Sequence, residues 1–165
     1  MARCQNLHPS FSNASADLSK GTTDMNEIEL AKRCAEAMWS DDAASQELGM
    51  RVEVRGPGVA EVSFEVRRDM INGHDVCHGG YIFTLADTAF AFACNTYDRI
   101  TFAASASIEF VRPARLGDKL LAMASEGSRG GRTGIYDVSV TNQEDELVAI
   151  FRGRSYATRE PILTK

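Results

Sequence analysis

Apolar residues recur at intervals of three and four across DMNEIELAKRCAEAMWSDD, where Met25, Ile28, Leu30, Ala31, Cys34, Ala35 and Met38 share one side of a helix. Acidic residues cluster early in that run and Asp24 is placed to cap it, so an amphipathic helix is predicted from Asp24 onward. The period then drops to two. MRVEVRGPGVAEVSFEV alternates apolar and polar positions on either side of Gly-Pro-Gly, the pattern of a hairpin with one buried face, with strands over about Gly49 to Arg55 and Val59 to Val66.

A polar loop, Arg67 to His78, leads into a second helix over about Gly79 to Thr96. This one is apolar around nearly its whole circumference, through Tyr81, Ile82, Phe83, Leu85, Ala89 and Phe90 among others, so it must be wrapped by a sheet or by a sheet plus a partner. Four strand-like runs follow: Thr101 to Val111, Lys119 to Ser128, Gly134 to Asn142 and Leu147 to Thr158, separated by turns at RPARLGD, RGGR and QEDE. Hairpin, long helix, then a meander of antiparallel strands is an α+β order with the helices on one face of the sheet. Residues 1–23 are rich in Ser, Asn and Ala without a sustained period and read as a flexible extension ahead of a single domain, 24–165.

Composition narrows the function. A length of 165 residues, 44% hydrophobic, suits one core. A formal charge of −5 argues against a protein that coats nucleic acid or anionic lipid. No apolar run reaches the roughly 18 residues of a membrane helix, and no leader pattern opens the chain, so a cytoplasmic protein is expected. Cys4, Cys34, Cys77 and Cys94 show no tight repeat and read as free thiols.

Asp87 is the residue out of place. An unpaired carboxylate in an apolar helix costs several kcal/mol, about what a buried ion loses without a partner, so it needs an arginine, a raised pKa or water. The same helix opens on His78-Gly79-Gly80, where free N–H groups and the positive end of the helix dipole can hold a developing negative charge. A carboxylate to activate water or attack directly, and an amide to hold an oxyanion, are the two parts of an acyl-transfer hydrolase. Eight residues separate Gly79 from Asp87, about 12 Å along a helix, too far for one carbonyl to meet both. Two copies with antiparallel helices about a two-fold axis would bring Asp87 of one chain to Gly79 of the other, which predicts a homodimer with shared sites.

NGHDVCHGGYIFTLADTAFAFACN, with IEFVRPARLGD, GGRTGIYDV and AIFRGRSY, closely resembles the hotdog-fold acyl-CoA thioesterases of the phenylacetic-acid-degradation (PaaI) type over about Met50 to Tyr156. The resemblance implies a long helix wrapped by an antiparallel sheet, dimers often paired into a homotetramer, and hydrolysis of a coenzyme A thioester with an aryl-acetyl acyl part. It implies no cofactor beyond the coenzyme A of the substrate. By resemblance Asp87 matches the catalytic carboxylate, Gly79 the glycine whose amide polarises the carbonyl, Asn72 a residue that orients water or leaving group, and His78 the residue before the glycine. A strand hydroxyl, Ser105 or Ser107, is expected to help from the partner chain. Gly131, Arg132, Thr133 and Gly134 match a turn that contacts coenzyme A in relatives, while Arg132 and Arg154 are candidate phosphate partners by charge. Phe83, Thr84, Thr88, Phe90, Phe102 and Phe110 are the candidates to line the acyl pocket.

Other chemistries fit less well. His74, Asp75, Cys77 and His78 are all metal-ligand types, but they lack the paired, separated clusters of a zinc site, and no metal is expected. Cys77 beside His78 is a poor thiol nucleophile, because sequence neighbours rarely align for proton transfer. The histidine motifs of hydratases on the same fold are absent. A hotdog module that only binds acyl-CoA is the remaining alternative, and Asp87 argues against it, since a binding site gains nothing from a desolvated acid facing a thioester.

Overall fold

The structure, a computed structural model, describes residues 19–163, with side chains from residue 27. The predicted extension therefore lies largely outside the described residues, as do Cys4 and the side chain of Met25. Helix α1 runs Ser19–Asp41 and starts ahead of Asp24, so Asp24 lies inside the helix and does not cap it. Its apolar face buries Ala31 and Cys34 and half-buries Ala35, Met38 and Trp39. A short helix α2, Ala43–Glu47, follows, capped by the Asp42 carboxylate accepting from the Ser45 N–H at 3.0 Å.

The hairpin strands are β1, Arg51–Gly56, and β2, Val59–Glu65. After a 3-10 turn at Arg68–Met70 comes the long helix α3, Gly79–Cys94, and then β3, Thr101–Phe110, β4, Lys119–Gly130, β5, Thr133–Thr141, and β6, Leu147–Ala157. All six strands form one antiparallel sheet in the order β1-β2-β4-β5-β6-β3. The expected meander holds for β4, β5 and β6 only. β3 pairs with β6 at the far edge, and 111–118 carries the chain back across the sheet to β4. That crossover is tied down beneath the start of α3, where the Cys77 N–H donates to the Ala114 carbonyl at 2.8 Å and Ala114 is fully buried.

The sheet curls around α3 as the apolar pattern required. Ile82, Leu85, Ala86, Ala89, Phe90, Phe92 and Ala93 are buried against the inward positions of β2, β4, β5 and β6. Helix and sheet approach closely at Gly153, where an added Cβ would lie 2.9 Å from three ring carbons of Phe90. What the sheet leaves uncovered on α3 is one stripe at helical spacing: Gly80, Phe83, Thr84, Asp87, Thr88 and Ala91. The free edge strand β3 is exposed along nearly its whole length, with unpaired backbone groups on its outer side. No described helix is long and apolar enough to cross a membrane.

Candidate active site

The start of α3 is built by the loop before it. Ile71 and Cys77 form a β-bridge, the Asn72 N–H donates to the Val76 carbonyl at 2.9 Å, and Asp75 takes a left-handed φ of 58° to close the turn. The Asn72 side-chain oxygen accepts from the backbone N–H of His74 at 2.9 Å and of Val76 at 3.4 Å, so the carbonyl end of the amide holds the loop. Its NH2 has no partner among the described residues and is the end left to donate to a ligand. His78 is the N-cap of α3: its Nδ1 accepts from the Gly80 N–H at 2.9 Å. The Tyr81 N–H is taken by the His78 carbonyl at 3.0 Å. Gly79 is thus left as the first-turn residue whose N–H has no partner among the described residues.

Eight residues along, Asp87 is half-buried on the uncovered stripe. It enters no hydrogen bond and no ion pair among the described residues, so the pairing with a sheet arginine that would make it structural does not occur. Burial alone pushes its carboxyl above the ordinary carboxylate range. The helix between Gly79 and Asp87 is continuous, so the separation of about 12 Å stands and one chain does not join them.

The strand serines face away from α3 of their own chain. Ala103 pairs with Ser155 and Ser105 with Arg154, which leaves Ala104 as a bulge in β3. The bulge exchanges the two faces. Beyond it Ala106, Ile108 and Phe110 pair with buried Gly153, Phe151 and Ala149, whereas Ser105 and Ser107 pair with exposed Arg154 and Arg152 on the face turned away from α3. The same register sends Arg154 to that outer face, apart from the Gly131–Arg132 turn. Gly134 is buried, and a Cβ there would meet Tyr136 at 2.7 Å and Ser155 at 2.9 Å.

Gly131, Arg132 and Thr133 do border a cleft, of about 390 Å³, at the C-terminal end of α3. Its charged lining is entirely arginine: Arg99, Arg129, Arg132 and Arg159. The guanidinium of Arg132 lies 4.5 Å over the Tyr156 ring and donates through Nε to the Ala157 carbonyl at 2.8 Å. Arg129 lies 3.8 Å over the Tyr97 ring with its Nε 3.4 Å from Glu126. Arg129 and Arg132 are the two ends of the RGGR turn, whereas Arg99 and Arg159 lie in other segments and carry no motif, so only folding brings them to it. The loop before α3 gathers nothing comparable. Cys77 points inward, and burial pushes its thiol up to about 11, far from the thiolate a nucleophile needs. Cys94, buried in the same core, is pushed up to about 12. No cluster of three His, Cys, Asp or Glu side chains with metal-site geometry occurs among the described residues.

Known proteins share this sequence pattern and this fold. The thioesterase superfamily profile matches residues 74–149. The acyl-coenzyme A thioesterase PaaI of Escherichia coli K12 is 43% identical over 122 residues, covering 74% of this chain and 87% of that protein. The chain belongs to the PaaI-type hotdog thioesterases. The solved structure of the E. coli PaaI protein from the phenylacetic acid degradation operon agrees in fold, with a TM-score of 0.80 at 40% identity over 81% of this chain and 97% of that one. A more distant structure, smu.793 of Streptococcus mutans UA159, solved bound to acetyl-CoA, aligns with a TM-score of 0.65 at 28% identity, covering 68% of this chain and 90% of that one. As a member of this family the protein is a hydrolase of thioester bonds, and its α+β hotdog architecture is that of the family.

Proposed function

We propose that the protein hydrolyses acyl-coenzyme A thioesters in the cytoplasm, with phenylacetyl and ring-hydroxylated phenylacetyl groups as its preferred acyl parts. The observation that carries this reading is the pair of unsatisfied groups on one helix: an amide at Gly79 and a carboxylate at Asp87, each without a partner among the described residues and about 12 Å apart along it. Antiparallel pairing of two α3 helices, with the exposed β3 edges joining the sheets, makes each group the complement of the other's site. The functional unit in this reading is a homodimer, and two such dimers form the tetramer.

In each shared site the Gly79 N–H of one chain binds the thioester carbonyl oxygen. Asp87 of the other takes a proton from water as the water oxygen bonds to the carbonyl carbon. The tetrahedral oxyanion rests on the amide and the positive end of the α3 dipole. Its collapse breaks the C–S bond, and the proton held by Asp87 passes to the departing sulfur, giving free acid and coenzyme A thiol. The raised pKa of Asp87 suits it to both transfers. Asn72 offers its free NH2 to the water or to the leaving group. The arginine-lined cleft at the C-terminal end of α3 takes the phosphates of the coenzyme A nucleotide. E. coli PaaI, by its name an acyl-coenzyme A thioesterase, supports the substrate class.

The test is thiol release from phenylacetyl, hydroxyphenylacetyl, benzoyl and straight-chain coenzyme A thioesters. Fastest turnover of the aryl-acetyl thioesters is expected. Faster turnover of straight-chain substrates would overturn the acyl assignment, and no turnover by folded, oligomeric protein would leave a binding module.

A further inference from the structure

Six side chains were candidates to line the acyl pocket; Phe83, Thr84 and Thr88 stay on the uncovered stripe of α3, and the fold places the other three differently. Phe90 is fully enclosed, edge-on to Tyr136 at 5.5 Å and against Gly153. Phe83 packs edge-on to Phe151 at 5.4 Å. The Thr84 hydroxyl is spent on the Gly80 carbonyl at 2.8 Å. Phe102 pairs with Tyr156 ahead of the bulge and lines a different cleft, with Ala91 and Asn95, at the opposite end of α3 from Gly79. Phe110 is different. It falls on the inward face beyond the bulge, yet it is 54% exposed, because the sheet ends there and its ring projects over the first residue of α3. A Cβ at Gly79 would lie 3.0 Å from Phe110 Cζ and 3.3 Å from Cε1, so ring and amide share one small space.

We infer that Phe110 is the wall of the acyl site and the residue that sets its preference for aromatic acyl groups. The inference rests on the thioesterase reading above. An acyl group is bonded to the carbonyl carbon whose oxygen meets the Gly79 N–H, so its first atoms must lie within a few ångströms of that amide. The cleft that contains Gly79, about 330 Å³, is walled by Val76, Ile82, Phe110, Val111 and Pro113. Its charged residue, Arg112, is engaged elsewhere, donating to the Leu147 carbonyl at 3.2 Å and lying 3.8 Å from Glu146. Such a wall offers nothing to the amides of the pantetheine arm and much to an apolar ring, which can pack offset or edge-on against Phe110. A two-carbon acyl group does not extend far enough to cover the ring and gains less.

Phe110→Ala and Phe110→Leu, each checked for melting temperature and oligomeric state, test this on phenylacetyl-, butanoyl- and acetyl-coenzyme A. Loss graded with acyl size is expected: kcat/KM falls about tenfold or more for phenylacetyl, the scale on which an apolar pocket discriminates groups, and least for acetyl. Phe110→Leu should keep most of the butanoyl turnover and lose the aryl preference. Equal loss on all three substrates, or no loss, overturns the inference while wild-type turnover leaves the thioesterase reading intact. A wild type inactive on all three overturns that reading and this one with it. Should Phe110→Ala fail to fold, the substrate ratios of Phe110→Leu decide alone.

Discussion

Replacing Asp87 by Asn keeps the size of the side chain and removes only its charge and basicity. The structure allows the consequences to be worked out separately for rate and stability. For stability, Asp87 has no hydrogen-bond or ion-pair partner among the described residues, so the amide forfeits nothing and leaves no cavity. It also removes a charge that burial disfavours. The folded carboxyl titrates above the unfolded one, so the folded state binds more protons between the two values, and stability falls as pH rises through that window. The penalty is fully present above the folded pKa and absent below the unfolded value of about 3.9. Asp87→Asn should therefore melt at or above the wild-type temperature at pH 7, with the two converging toward pH 3.5. For rate, loss of a general base or acid costs about 10² to 10⁴ in kcat, and each factor of ten is about 1.4 kcal/mol of barrier. KM should change little, because the group acts in the transition state. Thiol-release kinetics and thermal melts on one preparation check both. A variant that melts well below wild type yet keeps near-native kcat would refute the reasoning and make Asp87 a structural residue.

The pH profile of kcat/KM should show an ascending limb set by Asp87, lying above the ordinary carboxylate range because burial raises it; a limb at or below that range would contradict the assignment. Mixing Asp87→Asn chains with chains carrying a bulky residue at Gly79 should restore part of the activity, since one of the two sites in each heterodimer is intact, and verified heterodimers without activity would exclude sharing. Arg159→Ala should raise KM for coenzyme A thioesters about tenfold, the worth of a charge-assisted contact, and leave the thioester of N-acetylcysteamine unaffected because it carries no phosphate. Gly153→Ala should destabilise the fold by about 1 to 3 kcal/mol by driving a methyl group into Phe90, read as a drop in melting temperature.

Element type was legible because the apolar period is strong: the strands and α3 fall within a few residues of where alternation and helical spacing put them. Asp87 and Gly79 were legible for a related reason, a charge and a pair of glycines standing out against an apolar helix. Neighbourhood was harder to read. Sequence order suggests β3 beside β4, and only the closed accounting of backbone hydrogen bonds shows that β6 takes that place. The faces of β3 turned on a single residue. Alternation through TFAASASIEF groups Ser105 and Ser107 with inward Thr101 and Ala103, until the bulge at Ala104 exchanges the faces and sends both serines outward. Neither Ala104 nor its neighbours carry a glycine or proline to announce this. The arginine cleft was legible only at its RGGR turn: Arg99 and Arg159 join it from other segments, and charge gathered that way leaves no local pattern.

The pairing of β3 with β6 also has a consequence for how the chain is made. β3 ends at Phe110 but its sheet partner begins at Leu147 and is the last strand synthesised. Until β6 emerges, β3 has no neighbour on either side, and α3 lacks part of its wrapping. The domain therefore closes late, over contacts between distant segments, which slows folding and leaves Phe102, Phe110 and the apolar helix open to other chains meanwhile. A chain cut before Leu147 would keep every group assigned to the thioester carbonyl and still have no sheet edge on which to assemble the shared site.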